Sequence, residues 1–168
     1  MNKDIHFILT GGTIDSVFDP SADAVIVNKA SVISEFIENK ILPHADFSYE
    51  VLTMKDSRDI TDHIREEIIR SITKCEKKNI VITHGTYTMA ETACYLDGKT
   101  PPDKTIILTG SMFPLKGFSD SDAPFNLGFA IASAMALPSG IYIAMNGTVF
   151  KAQEALKDLK KARFTFKK

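Results

Sequence analysis

Four short stretches of this sequence place hydroxyl residues, and in three cases glycines, directly after an apolar run. They read TGGTID (10–15), KDSRD (55–59), THGTYT (83–88) and TGSMFP (109–114). A threonine or serine hydroxyl becomes a nucleophile when a neighbouring group takes its proton, and paired glycines let a ligand approach the backbone closely. The stretches therefore indicate a ligand site, although a tight turn in which Thr13 bonds only to its own loop would also explain the first of them.

Other residues in these stretches leave their roles open. Tyr87 puts a bulky phenol between Thr86 and Thr88, and His84 stands at the end of an apolar run, where it could fix the backbone. Lys157 lies in the charged segment EALKDLKK, which by charge alone is typical of a solvated surface. The sequence has no phosphate-binding loop, dinucleotide fingerprint or Gly-x-Ser-x-Gly elbow.

Composition is that of an ordinary soluble domain. The 168 residues carry a net charge of -1, with 44% apolar and 24% charged residues. This balance gives no reason to expect nucleic acid or an anionic membrane as a partner, and no apolar run approaches the ~18 residues that span a bilayer. Cys75 and Cys94 lack metal or redox spacing, so we expect free thiols in the cytoplasm. The N-terminus is typical of a first strand, not of a signal peptide.

The elements that must position these residues alternate between strands and helices. The predicted strands are Ile5–Thr10, Phe47–Met54, Asn79–Thr83, Lys104–Thr109 and Gly140–Met145. Helical patterns occupy residues 28–40, 61–75, 88–96 and 121–136, with Asn28, Thr61, Thr88 and Asp122 as predicted N-caps. The last pattern has few charges, which indicates a well-buried helix.

Strands that alternate with helices predict right-handed crossovers and a mainly parallel central sheet flanked by helices. The fold class is a three-layer α/β domain of the Rossmann/flavodoxin-like type. Such sheets bind ligands beyond the carboxyl ends of their strands. We therefore expect the four hydroxyl-bearing loops to meet at one edge.

The motifs taken together resemble a known family. ILTGGTI, ITHGTYTMAETA, LTGSMFP, SDAPFNL and MNGTVF occur in this order and are similar to the N-terminal domain of the bacterial L-asparaginases. That family typically reads Thr-Gly-Gly-Thr-Ile, His-Gly-Thr-Asp-Thr-Met, Leu-Thr-Gly-[Ala/Ser]-x-x-Pro and Ser-Asp-[Ala/Gly]-x-x-Asn-Leu. The resemblance covers nearly the whole chain, so residues 1–168 are interpreted as one N-terminal-type domain without the family's C-terminal domain.

The resemblance implies roles for individual residues. Thr13 would attack the side-chain amide carbon, and Thr86 would work with Lys157. Backbone N–H groups of the glycine turn at Gly12 and near Thr86 could hold the oxyanion. The resemblance adds further residues to the substrate-binding set, namely Ser57 for the substrate carboxylate, Arg58, Asp59, Tyr87 and Ser111.

Three departures from the family pattern bear on activity. The second domain, which completes the family's active site from a neighbouring subunit, has no counterpart in this sequence. No tyrosine occurs between Thr13 and Tyr49, where the family has one in a mobile loop, and Phe18 lies there instead. Tyr87 replaces the aspartate that receives the substrate's α-amino group. Tyr87 could fill space in a decayed site, or it could mark a changed substrate.

The sequence therefore predicts an asparaginase-like amidohydrolase that acts on a small side-chain amide and only weakly on free L-asparagine. The alternatives are a non-catalytic module that binds a small amino-acid-like ligand, and one subunit of a split amidohydrolase. We expect no metal and no organic cofactor, since no histidine has ligand spacing. We also expect a homodimer, with MFPLKGF (112–118) and the helix near Met135 as candidate contacts.

Overall fold

In the computed structural model, which describes residues 4–117 and 120–167, six strands form one central sheet. Their order is β4-β1-β5-β6-β7-β8, and all neighbours are parallel except β7 and β8. The six are β1 (Ile5–Gly11), β4 (Phe47–Lys55), β5 (Asn79–Thr83), β6 (Thr105–Thr109), β7 (Gly140–Met145) and β8 (Thr148–Lys151). The predicted fold class is confirmed, since five of these strands coincide with the predicted ones to within about a residue.

Within the described residues, four helices flank the sheet. They are α1 (Ile33–Phe36), which continues as a π turn to Ile41, α2 (Asp62–Lys74), α3 (Met89–Leu96) and α4 (Ala123–Ala136). Among the described residues, no helix is long and apolar enough to cross a membrane.

Two apolar cores lie on opposite faces of the sheet, because neighbouring strand residues point to opposite sides. Ile8 of β1 packs with Ile68 of α2 in one core, while Phe7 packs with Leu127 of α4 in the other. The continuous apolar strands seen in the sequence are therefore covered on both faces.

The predicted start of the first helix was wrong. Asn28 does not cap it, since α1 begins at Ile33 with Val32 in the N-cap position. The intervening chain is tied to Asp15, whose carbonyl accepts from the N–H of Asn28 at 2.8 Å and whose carboxylate accepts from the N–H of Val32 at 2.8 Å. These bonds fix residues 28–32 against Asp15 in a non-helical path, so the helix starts only after them.

Two short antiparallel hairpins were not predicted from the sequence. One pairs β2 (Ser16–Asp19) with β3 (Ala24–Val27), and the other pairs β9 (Ala155–Asp158) with β10 (Arg163–Phe166). The second hairpin carries Lys157 opposite Phe164. Because the Phe164 and Phe166 rings lie near Phe150 of β8, at 6.3 and 4.6 Å between centroids, this hairpin is fastened to the edge of the sheet.

Candidate active site

Two glycines bring the first and third loops into direct contact. A Cβ atom at Gly12 would lie 2.4 Å from the Cα of Gly85, closer than real side chains allow. Gly12 also has φ +80, a conformation that only glycine adopts at little cost. Since Thr13 follows one glycine and Thr86 follows the other, the two threonines predicted to act together stand on adjoining loops.

The second loop packs against the same point. A Cβ atom at Gly85 would lie 2.7 Å from the Cβ of Ser57. Ser57 is buried, its carbonyl accepts from the Thr88 hydroxyl at 2.6 Å, and its own hydroxyl accepts from the Thr88 N–H at 3.4 Å. Thr88 occupies the N-cap position of α3. Its side chain donates to Ser57 in the neighbouring loop and does not form the predicted capping box.

Thr86 and Lys157 are in direct hydrogen-bond contact. The Lys157 ammonium Nζ donates to the Thr86 Oγ1 at 2.6 Å, and the Thr86 hydroxyl faces the sulfur of Met112 at 3.8 Å. Burial lowers the pKa of Lys157, and the cation of Arg58 lowers it further, while Asp56 acts in the opposite direction. The contact therefore joins a hydroxyl to an amine that loses its proton more readily than a surface lysine does.

Tyr87 is not buried between the threonines. The residue is 54% exposed and has two cations near its ring, with the Arg58 guanidinium 5.9 Å and the Lys157 ammonium 6.0 Å from the ring centroid. The ring face is electron-rich and attracts such cations. Arg58 is also held by Asp56, which accepts from its Nε at 2.9 Å and its Nη2 at 3.1 Å. The hydrogen bond from Arg58 lowers the pKa of Asp56, so this carboxylate stays charged and engaged.

His84 fixes the backbone, as the simpler interpretation of the sequence held. It is fully buried, and burial lowers its pKa to about 4, so the ring is neutral near pH 7. Its Nδ1 lies 2.8 Å from the carbonyl oxygen of Gly85 and therefore carries the proton. Its Nε2 accepts from the Thr92 hydroxyl at 3.0 Å, and Thr92 accepts from Nε of Arg65 at 3.2 Å. This chain of bonds holds the turn at Gly85 against α3 and α2.

Thr13 lies in a short 3-10 turn (Thr13–Asp15) and is half-buried. Its hydroxyl has no hydrogen-bond partner among residues 4–117 and 120–167, so in this structure no described base contacts it. The N–H of Gly12 donates to the carbonyl of Lys55 at 2.8 Å. That donor is engaged, and it does not serve the oxyanion role that the sequence suggested for the glycine turn.

Of the other predicted binding residues, one is engaged within its own loop and one is exposed. The buried Ser111 hydroxyl donates to the carbonyl of Phe113, and Asp59 is exposed at the end of its turn. Asp56 and Met112 were not predicted as site residues from the sequence, although both stand beside motif residues. Asp122 takes the predicted N-cap position of α4. Its carboxylate makes no capping bond and accepts from the N–H groups of Met112 and Phe113 at 3.0 Å, which holds the fourth loop in place.

In the described part of the chain, no three histidine, cysteine or carboxylate side chains lie together in a way that could hold a metal ion. The groups that converge on the site are hydroxyls and cations. These are the groups that bind and polarise an amide or a carboxylate.

The fold and the site together define a class of protein. It is a three-layer α/β domain with threonine-bearing loops at the carboxyl edge of its sheet. The family model described as "Asparaginase, N-terminal" matches residues 4–168. The chain belongs to the asparaginase family and corresponds to its N-terminal domain.

Individual relatives agree with this assignment. L-asparaginase 2 of Escherichia coli (strain K12) is 32% identical over 164 residues, which are 91% of this chain and 46% of the relative. The thermostable L-asparaginase from Thermococcus kodakarensis superposes with a TM-score of 0.82 at 29% identity, over 97% of this chain and 51% of that one. The probable cytoplasmic L-asparaginase from Campylobacter jejuni gives 0.83 at 31% identity, over 96% and 52%. The chain thus spans about half the length of these relatives.

Proposed function

We propose that this protein is an asparaginase-type amidohydrolase that releases ammonia from a small amide through a threonine nucleophile. The observation that carries the proposal is the 2.6 Å contact between Lys157 and Thr86, beside the glycine contact that brings the loop of Thr13 next to that of Thr86. Family membership supports the reaction class. The altered substrate preference rests on Tyr87 and its two cationic neighbours.

In the proposed reaction, the Thr13 hydroxyl oxygen adds to the amide carbon, and its proton passes to the departing nitrogen. The carbon–nitrogen bond breaks, ammonia leaves, and the acyl group remains as an ester of Thr13. Water then adds to the ester carbon, the ester bond breaks, and the carboxylic acid leaves with Thr13 restored.

Lys157 and Thr86 supply the proton movement. A neutral Lys157 amine takes the proton of the Thr86 hydroxyl, and Thr86 in turn takes the proton of the attacking oxygen. The Lys157 ammonium then returns a proton through Thr86 to the departing nitrogen, which leaves as ammonia. Burial favours the neutral amine by lowering the Lys157 pKa, which makes this transfer easier than it is for a solvated lysine.

Free L-asparagine is a poor match for the surroundings of Tyr87. Its α-ammonium would meet the phenol of Tyr87 and the cation of Arg58, while Asp56 is already engaged by Arg58. An amide with no α-amino group, or with that nitrogen acylated, avoids this repulsion. We therefore propose weak activity toward free L-asparagine.

Binding without turnover is the second candidate. It is favoured by the Thr13 hydroxyl, which has no hydrogen-bonding base among the described residues. A small amino-acid-like ligand would then occupy the same loops without being cleaved.

Ammonia release from a panel of small amides by the purified protein separates the two. Amidohydrolase function predicts ammonia from at least one amide, loss of turnover in Thr13→Ala and in Thr86→Val, and no loss on treatment with a chelator. Thr73→Val, which changes an exposed threonine of α2, is the control and should keep full activity. Ligand binding by calorimetry with no ammonia from any amide would establish the binding module instead.

We further propose that the protein acts in the cytoplasm. Cys75 and Cys94 are both free thiols, as a reducing compartment requires. Recovery of the native protein in a periplasmic or secreted fraction would contradict this placement.

A further inference from the structure

A groove of about 380 Å³ opens beside the candidate site, and Tyr87 and Lys157 belong to both. One wall is the face of α3 that carries Ala90 and Cys94. The other is β9 and the turn after it. A ligand held near Lys157 therefore has the groove next to it, on the side of Tyr87.

The β9 wall is apolar and open. Leu156 and Leu159 line it and are 50% and 64% exposed, while Ala155 lies buried at its base. Two leucines left this open on one wall are available to contact an apolar group of a ligand. Burial of such a group against them would be favourable, since each methylene removed from water stabilises binding.

The charges of the groove favour an anion and oppose a free ammonium. Lys157 and Lys167 line it, and Glu91, the one carboxylate among its described lining residues, is shared with Arg65 at 3.5 Å. Lys167 Nζ lies 4.0 Å from the Cys94 sulfur. Arg58 adds a further positive charge near Tyr87.

We propose that this groove is a subsite for the acyl chain of an N-acylated amino-acid amide, a class that unites a carboxylate, a reactive side-chain amide and an apolar substituent in place of the ammonium. The carboxylate lies near the cations, and the acyl chain lies between Ala90 and the two leucines. The inference rests on the proposed function for the identity of the reacting amide, but the groove binds the chain whether or not the amide is cleaved.

The test uses L-asparagine and its N-acetyl, N-butanoyl and N-hexanoyl derivatives. Dissociation constants are measured by calorimetry on the wild type and on Thr13→Ala, and ammonia release is followed with the wild type. We expect the dissociation constant to fall roughly two- to fourfold with each added methylene until the groove is filled. L-asparagine should bind more weakly than any of the acylated compounds.

Variants of the groove residues distinguish binding in this subsite from nonspecific hydrophobic binding elsewhere on the protein. Leu156→Ser and Leu159→Ser should each flatten the dependence on chain length, and Ala90→Phe should weaken binding of the hexanoyl compound more than that of the acetyl compound. Leu42→Ser removes an equally exposed leucine in another part of the fold, so it should leave the series unchanged.

Each result bears on one hypothesis. An affinity that does not depend on chain length, or that is unchanged in both leucine variants, overturns the acyl subsite, while ammonia release from the acetyl compound still supports the amidohydrolase. A chain-length dependence that the leucine variants abolish, with no ammonia from any amide, supports the subsite and overturns the proposed catalysis.

Discussion

Lys157 and Thr86 are 71 positions apart in the sequence, yet their side chains are 2.6 Å apart in the structure. The lysine could be singled out from the sequence only by counting onward from MNGTVF within a family resemblance. Charge pattern alone placed it on a solvated face. Its contact depends on the β9–β10 hairpin, whose strands are too short and too exposed to give a periodic signal.

The proton on Lys157 should govern the pH dependence of turnover. A neutral amine is required, so activity should rise with pH through the pKa of Lys157. Because burial lowers that pKa, the midpoint should lie below the ~10.4 of an ordinary lysine. Lys157→Arg leaves a cation that does not release its proton, and kcat should drop by about 10²–10⁴.

Initial rates between pH 6 and pH 10 check this, with Lys160→Arg as the control on an exposed neighbour. A flat profile in the wild type, or full activity in Lys157→Arg, would show that the lysine takes no proton.

Tyr87 should determine discrimination against the α-ammonium. Tyr87→Asp replaces a neutral hydroxyl with a carboxylate, and a charge-assisted contact exceeds a neutral hydrogen bond by about 1 kcal/mol or more. The kcat/KM for L-asparagine should therefore rise about tenfold relative to that for an amine-free analogue. Tyr87→Asn is the control, since it removes the ring without adding charge. If it gives the same gain, space and not charge explains the preference.

At the scale of elements, the sequence was most informative where periodicity is strong. Ile64, Ile68 and Ile72 recur every four residues and are all buried in α2, and the apolar strands lie where their runs predicted. The first helix was placed too early because the bonds to Asp15 that keep residues 28–32 out of the helix join residues 13 to 17 positions apart. No local pattern reveals such contacts.

The contact between the first and third loops should fail when Gly12 gains a side chain. Gly12→Ala combines positive φ with a Cβ only 2.4 Å from Gly85. Gly98→Ala is a matched control, because Gly98 has φ +74 and nothing lies within 4 Å of the added atom. Gly98→Ala should cost only the conformational term of about 1 kcal/mol, and Gly12→Ala should cost at least twice as much and remove turnover.

Urea unfolding and ammonia release test both variants. Equal losses of stability would mean that the loops separate easily and that the close approach has no energetic weight.

His84, which follows β5 and is buried in its neutral form, should make the domain less stable in acid. Its pKa is about 4 when folded and near 6.5 when unfolded, so the unfolded chain binds more protons between these values. Stability from this group should be complete above pH 6.5 and should fall by about 2 kcal/mol between pH 7 and pH 5. In His84→Gln the loss over this interval should shrink, whereas His44→Gln, on an exposed loop, should behave as the wild type. Urea midpoints at the two pH values measure the difference.

For the whole molecule, alternation of strands and helices was enough to predict a parallel sheet with its loops gathered at one edge. The prediction that α4 is well buried was only half right. One face packs in the core through Leu127 and Ala130, but Phe125 is 60% exposed and stacks on Phe129 at 6.2 Å. A helix with few charges is expected to be buried, but its sequence does not show whether the residues that bury it belong to the same chain or to a second copy. The other predicted contact segment is partly internal, since Leu115 is buried, and its last residue, Phe118, lies outside the described residues.

We expect two copies of the domain to associate through the outer face of α4. No charged residue occurs in residues 123–136, and Gly128, Ala132 and Ala136 are exposed at intervals of four. Small residues at this spacing let two helices approach closely with their ridges interdigitated. A two-fold arrangement would place Phe125 of each copy against its partner and remove it from water.

Sedimentation should therefore show a dimer at micromolar concentration, and Ala132→Arg should shift it to monomer, because the substitution buries an unpaired charge in the contact. Thr73→Arg, on the exposed face of α2, should remain dimeric. A monomeric wild type would contradict the prediction of a dimer. An Ala132→Arg protein that stays dimeric would show that the dimer contact lies on another surface.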